Sequence, residues 1–200
     1  YMIWRLDGKE QRLIHRSELQ IPGDHNLENA MCAASLAMCM GLDAEAVCRG
    51  LRAFRGVEHR IEFVREVEGV RYVNDSKGTN PDSTIKAVKA MTRPTVLMLG
   101  VGEYDKHSDF TPLFEAFGST VKGVIASGIN IPAIRDAAEK TGYKGEFVEW
   151  HGDFEGMIRK AGEMAGKGST VLLSPAAASW GQFDNYEQRG EIFKDIVNKL

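Results

Sequence analysis

Cysteine, proline and basic runs are scarce in this chain of 200 residues, and it has no long apolar stretch. Each shortage removes a class of answers. The three cysteines, Cys32, Cys39 and Cys48, form no C-x-x-C pair. An odd number at that spacing argues against a disulfide framework or a zinc site. They read as buried thiols in a reducing cytosol, which makes the expected localisation cytoplasmic. The most apolar run, AMCAASLAMCM over 30–40, is too short to span a bilayer and reads as a buried core helix. No signal-peptide pattern is visible. The formal charge is −3 with both signs mixed, so neither nucleic acid nor a membrane is an expected partner. The phosphate-loop pattern G-x-x-x-x-G-K-[ST] occurs nowhere. His15, His107 and His151 lack metal-ligand spacing, and spacing supports no Ser-His-Asp or Cys-His constellation.

What is present is the composition of a globular protein, 43% hydrophobic and 26% charged. The first part, 1–56, predicts a hairpin turning at Asp7-Gly8, then two helices, the first ended by Gly41 and the second started by Asp43. From 57 the pattern changes. A second hairpin turns at Glu68-Gly69. Apolar strands at 95–100, 123–128, FVEW and 169–177 then alternate with helical patterns at about 82–91, 109–117, 130–141 and 153–165, and a last helix follows at about 184–199. Such alternation predicts a doubly wound α/β domain over 57–200, its mostly parallel sheet covered by helices on both faces.

In an open parallel sheet, ligands bind beyond the carboxyl ends of the strands. Three polar segments stand there. NDSKGTN follows the strand ending at Val73, GVGEYDKHSD the strand ending at Leu99, and SPAAASWGQFDNYE the strand ending at Leu173. The first also reads as a turn with Asn80 or Asp82 capping a helix. That reading leaves Lys77 unexplained, since a helix amino end disfavours a cation unless an anion lies between. In the second segment Lys106 offers another cation among glycines, with Ser108 or Asp109 as a plain helix cap. In the third, Ser174 and Ser179 frame small residues that expose backbone N–H groups. Trp180 and Tyr186 either wall a pocket or pack in the core. Upstream, Asn26 and Asn29 share a helix face and can read a base edge, unless Asp24 or Asn26 only caps that helix. His59-Arg60 lies at the junction of the two parts. These residues alone point to an anionic ligand at one sheet edge.

Taken in order, GDHNLEN, FRGVEHRIEFV, VNDSKGTNPDST, GEYDKHSDF and LLSPAAASWGQFDNYEQRG resemble the Mur ligase family, and most of all its D-glutamate-adding branch. The resemblance spans nearly the whole chain. It implies that 1–56 is the small α+β end of a central ATPase domain and 57–200 a Rossmann-like ligase domain. On that view the chain is part of a longer enzyme, with the UDP-sugar domain, the phosphate loop and the magnesium ligands elsewhere, and it is inactive alone. The implied reaction is ATP-dependent joining of D-glutamate to UDP-N-acetylmuramoyl-L-alanine in peptidoglycan precursor synthesis, through an acyl phosphate, with ATP and Mg2+ as cofactors and a monomer as the acting species. The implied roles are adenine contact for Asn26 and Asn29, nucleotide contact for Arg60 and Asp75, and catalysis for Lys77 and His59. Thr79, Lys106, Ser179, Trp180 and Tyr186 are implied to hold D-glutamate. GVGEYDK is longer than the family's usual loop, and many relatives carry a smaller aliphatic residue at Trp180. The alternatives are a non-catalytic binding module on the same fold, suggested by the missing phosphate loop, and a sibling ligase adding other amino acids or extending folate with glutamate.

Overall fold

The computed structural model describes residues 1–200, which form two compact units, Tyr1–Val57 and Glu58–Leu200. No helix is long and apolar enough to cross a membrane.

In the first unit, β1 (Ile3–Leu6) pairs antiparallel with β2 (Lys9–Arg12). Asp7 and Gly8 both take positive φ, 50° and 74°, as a two-residue hairpin turn requires. A single 3-10 turn (Arg16–Glu18) leads to α1 (Asp24–Cys39) and α2 (Ala44–Ala53). Asp43 caps α2 through the Glu45 and Ala46 amides. Gly23 occupies the N-cap of α1 without a side-chain bond, so neither Asp24 nor Asn26 caps it.

Two expectations fail on α1. It is not a buried helix: of its residues only Ala30 and Ala34 are buried, beside Met2, Ile14, Val47 and Cys48. Nor are all three thiols buried. Cys48 is, but Cys32 and Cys39 are exposed. The reason is angular. At 100° per residue, positions 32 and 39 lie opposite the face carrying 30 and 34. Apolar composition all round the helix hid which face packs.

The second unit holds a six-stranded sheet in the order β3-β4-β8-β5-β6-β7. Its strands are β3 (Glu62–Val67), β4 (Val70–Asn74), β5 (Thr95–Leu99), β6 (Val121–Ser127), β7 (Glu146–Trp150) and β8 (Thr170–Leu173). Only β3 runs antiparallel, joined to β4 by the tight turn at Glu68-Gly69. The last strand slots between β4 and β5, pairing Tyr72 with Val171 and Val96 with Val171.

One face packs on α3 (Pro81–Ala90), α4 (Thr111–Glu115) and α5 (Ile131–Thr141), through Val88, Phe114 and Ile134. The other packs on α6 (Phe154–Ala165) and α7 (Tyr186–Val197), through Ile158 and Phe193. Strands buried on both sides explain the continuous apolar runs: all of β5 and β8 is buried. The expected doubly wound, mostly parallel architecture is what forms.

Candidate functional site

Because β4, β8 and β5 are parallel neighbours, the three polar loops that follow them emerge side by side. Backbone bonds join them. Asp75 N–H donates to Leu173 O at 2.7 Å, Ala176 N–H to Gly78 O at 2.8 Å, and Gly100 N–H to Pro175 O at 2.8 Å. Glycine is needed where they touch. A Cβ on Gly78 would fall 2.6 Å from Ser174 Oγ, and one on Gly102 would fall 2.0 Å from Ala178 O. Asn80 caps α3 through the Ser83 amide, with Pro81 at the first helical position.

The strongest tie is a side chain. Arg189 on α7 is fully buried. Its Nε donates to Ser76 Oγ (3.0 Å) and Nη2 to Ser76 O (2.8 Å). Nη1 donates to Val101 O (2.7 Å), and both Nη atoms reach Ala177 O at 3.3 Å. One guanidinium therefore binds all three loops. Its rigid fork suits several converging carbonyls, which a lysine could not match. Burial draws its pKa down to about 9, so it stays cationic at neutral pH.

Asp75 is the buried acid. Its Oδ2 accepts from Ser174 Oγ (2.6 Å), and its Oδ1 accepts from the Ile61 amide (3.2 Å). Ser174 Oγ also lies 2.9 Å from Thr84 Oγ1. Desolvation outweighs these bonds and the nearby Arg60 and Arg189, and pushes the Asp75 carboxyl up to about 7. Around it four non-glycine residues hold left-handed backbone: His59 (φ 61°), Ile61 (45°), Val101 (54°) and Ala176 (56°). Each such residue costs about 1–3 kcal/mol and persists only when its surroundings fix it. Here each is fixed by a named bond. His59 O accepts Lys77 N–H at 3.1 Å, and Ala176 N–H goes to Gly78 O. Ile61 N–H goes to Asp75, and Val101 O accepts from Arg189.

The structure brings together most of the residues singled out above. Lys106 Nζ donates to Thr79 O at 2.9 Å. Lys77 Nζ lies 5.1 Å from the Tyr186 ring centroid, and that ring meets His59 edge-on at 6.0 Å. Ser179 is buried, and Trp180 is 54% exposed. Trp180 packs edge-on against Tyr104, 5.1 Å between centroids, and is not core. Arg60 is exposed beside this group. Asn26 and Asn29 lie in the other unit, where Asn29 Nδ2 is 3.5 Å from Asn26 Oδ1 and Asn26 Nδ2 binds Pro22 O.

Arg189 and Asn74 are the residues that sequence reasoning did not single out as site members, and Ser174, read there only as framing a small-residue turn, proves to be the partner of Asp75. One signal for Arg189 was available. It stands at i−4 and i−8 from Phe193 and Val197, on the buried stripe of α7. An arginine on such a stripe needs several acceptors.

Two neighbouring features stand apart. Glu58, His59 and Glu191 bring three metal-type ligand atoms within 4.8 Å. The Lys194 ammonium already pairs with Glu191 at 2.9 Å and with Glu58, so the trio does not suit a divalent cation. A cavity of about 300 Å³ opens at the ends of β6 and β7, lined by Ser127, Trp150, His151 and Asp153, with Glu103 and Gln182. None of the candidate residues lines it.

Residues 59–177 match the family model described as "Mur ligase, glutamate ligase domain". The chain is 47% identical over 195 residues to the UDP-N-acetylmuramoylalanine--D-glutamate ligase of Thermoanaerobacter sp. (strain X514), covering 98% of this chain and 42% of that protein. It is 45% identical over 192 residues to the ligase of the same name from Caldanaerobacter subterraneus subsp. tengcongensis, covering 96% and 42%. It thus spans less than half the length of these curated relatives. Among solved structures, UDP-N-acetylmuramate-alanine ligase MurC from Thermotoga maritima superposes with a TM-score of 0.65 at 17% identity, over 90% of this chain and 39% of that one. A pseudomurein peptide ligase type C from Methanothermus fervidus gives 0.64 at 19% identity, over 98% and 39%. At such identities these two show shared fold alone. With the sheet-edge loops, the family model and the close relatives in agreement, the chain belongs to the Mur ligase family and corresponds to its carboxyl-terminal, glutamate-ligase portion.

Proposed function

We propose that this chain supplies the amino-acid site and part of the ATP site of a ligase that joins D-glutamate to UDP-N-acetylmuramoyl-L-alanine. The observation that carries this reading is 47% identity to D-glutamate ligases along 98% of the chain. The geometry supports it. Two lysines, a buried serine and a threonine share one sheet edge, where a dicarboxylate would meet cations and backbone amides together.

ATP would supply the phosphoryl group that turns the acceptor carboxylate into an acyl phosphate, which the amine of D-glutamate then displaces. The work left to this chain is alignment and charge stabilisation. Lys77, half-buried over Tyr186, is the cation proposed to face the phosphoryl centre. Lys106, Thr79 and Ser179 are proposed to hold the carboxylates of D-glutamate, with Trp180 and Tyr186 as walls. Arg60, Asn26 and Asn29 are proposed for the nucleotide. With both oxygens engaged by Ser174 and Ile61 and only 5% exposure, Asp75 acts chiefly by holding the wall on which a nucleotide would rest. His59 is proposed to act in the same indirect way, because its side chain is only 6% exposed. Magnesium fits no group of residues here, because the one carboxylate–histidine trio is already met by Lys194. A UDP-linked acceptor and ATP suit a cytoplasmic enzyme, and nothing in the proposed chemistry asks for more than a monomer.

Titrating the 15N-labelled chain with D-glutamate tests the amino-acid site. The amides of Thr79, Lys106 and Ser179 should shift saturably, and L-glutamate should shift them at least tenfold more weakly. Equal response to both enantiomers, or none to either, removes the reading.

A further inference from the structure

The buried network behind the site fixes the state of a histidine. Asn74 ends β4 and has no exposure to solvent. Its Oδ1 accepts the Ser76 N–H at 3.1 Å, and its Nδ2 lies 3.0 Å from Glu62 Oε2. These two contacts settle which end of the amide is which. Turned over, the oxygen would face a carboxylate oxygen and the NH2 would face an N–H. The same Nδ2 lies 3.0 Å from His59 Nδ1. Nδ2 has no lone pair to give, so His59 Nδ1 must be the acceptor. The ring proton then sits on Nε2, which faces Glu191 Oε1 at 3.6 Å.

The ring has little freedom to escape this arrangement. A Cβ on Gly190 would fall 2.2 Å from His59 Nδ1, so the α7 backbone lies directly on it. Tyr186 closes another side at 6.0 Å. The main chain of His59 is gripped as well. Its N–H donates to Glu62 Oε2 at 3.0 Å, the same oxygen that accepts from Asn74. Its carbonyl accepts the Lys77 N–H at 3.1 Å.

We infer that Asn74 is a positioning residue that holds His59 as the Nε2–H tautomer and, through the His59 main chain, sets the backbone of Lys77. His59 therefore presents a hydrogen-bond donor on its outer side, with no lone pair there. It does not act as a metal ligand with Glu58 and Glu191, whose charge Lys194 already meets. It does not serve as a base from Nε2 either. The link to amide formation rests on the function proposed above, whereas the tautomer and the contact that enforces it do not.

Long-range 1H–15N correlation on the 15N-labelled chain reads both ring nitrogens directly. The expected His59 pattern is a lone pair on Nδ1 and a proton on Nε2, with a hydrogen-bond coupling from the Asn74 side-chain NH2 to Nδ1. In Asn74→Ala the pattern should move toward a mixture of tautomers. The Lys77 amide should shift with it, while His15 and His151 stay put. An Nδ1–H pattern in the unmodified chain, or a His59 pattern unchanged in the variant, overturns the inference. Should the variant fail to fold, the unmodified chain still decides through the tautomer and the coupling. Failure of D-glutamate to bind would count against the proposed function and leave this result untouched.

Discussion

Helices α1 and α7 make an instructive pair. The run within α1 is the most apolar in the chain, yet the helix buries only two alanines and leaves Leu36 68% exposed. α7 reads YEQRGEIFKDIV, with charges along its length, yet it buries Arg189 completely together with Phe193 and Val197. Burial follows the surface opposite a side chain more than the side chain's own hydropathy. Within the first unit the core beside α1 is small, built from Met2, Ile14, Val47 and Cys48 with a few half-buried neighbours, and it covers only the Ala30–Ala34 stripe. α7 meets a sheet edge where three loops turn carbonyls inward, and an arginine is the side chain that satisfies them.

The largest effect should come from removing that arginine. Arg189→Met keeps the length and apolar stem but leaves the carbonyls of Ser76, Val101 and Ala177 without their donor. Each buried carbonyl left without its donor costs about 1–3 kcal/mol, so three of them cost on the order of 3–5 kcal/mol or more. Urea unfolding should show a loss of that size, and Arg189→Lys should recover only part of it. A loss below about 1 kcal/mol would mean that water replaces the guanidinium, and that the loops do not depend on it.

This contrast also marks how far the sequence could be read. Strands such as 95–99 were legible because burial on both faces leaves an unbroken apolar run. The three site loops were legible because parallel strands put their carboxyl ends on one edge. What sequence could not convey was the pairing across that edge. Asp75 reads from the sequence as a nucleotide contact, and only the fold shows Ser174, 99 positions away, closing on it. Asn74 drew no reading of its own from the sequence, and only the fold sets it against His59. Cys32 and Cys39 were misplaced for the converse reason, since a helix with apolar residues on every side carries no periodic mark of its packed face.

A second difference between the helices is electrostatic, and Asp75 tests it. The charge on α7 is buried against carbonyl oxygens, and the nearest buried acid has its carboxyl raised to about 7 by desolvation. A raised folded-state value means that the native chain holds this proton more tightly than the unfolded chain. Its contribution to stability is full below the unfolded value, near pH 4, and is lost as pH rises through about 7. Urea unfolding at pH 5 and pH 8 should therefore show the wild type losing on the order of 2–4 kcal/mol more than Asp75→Asn over that interval. The asparagine can accept from Ile61 and donate to Ser174 without carrying charge. Parallel pH dependences in the two proteins would show that Asp75 is solvated in solution.

The smallest effect belongs to α1, and its smallness is the point. Leu36 and Met40 are 68% and 80% exposed, so polar replacement removes almost no buried area. Glutamine has nearly the helix propensity of leucine, and position 36 lies away from the packed stripe of Ala30 and Ala34. Leu36→Gln should thus change stability by less than about 0.5 kcal/mol, the range of ordinary surface substitutions. The measurement is urea unfolding at two protein concentrations tenfold apart. A concentration-independent change within that range keeps α1 as an apolar helix without a packing partner for this face. A loss above about 1.5 kcal/mol would mean that Leu36 is covered in solution, since deleting a buried leucine side chain costs at least that much. In that case the two helices would differ only in what covers them, and hydropathy would have read α1 correctly after all.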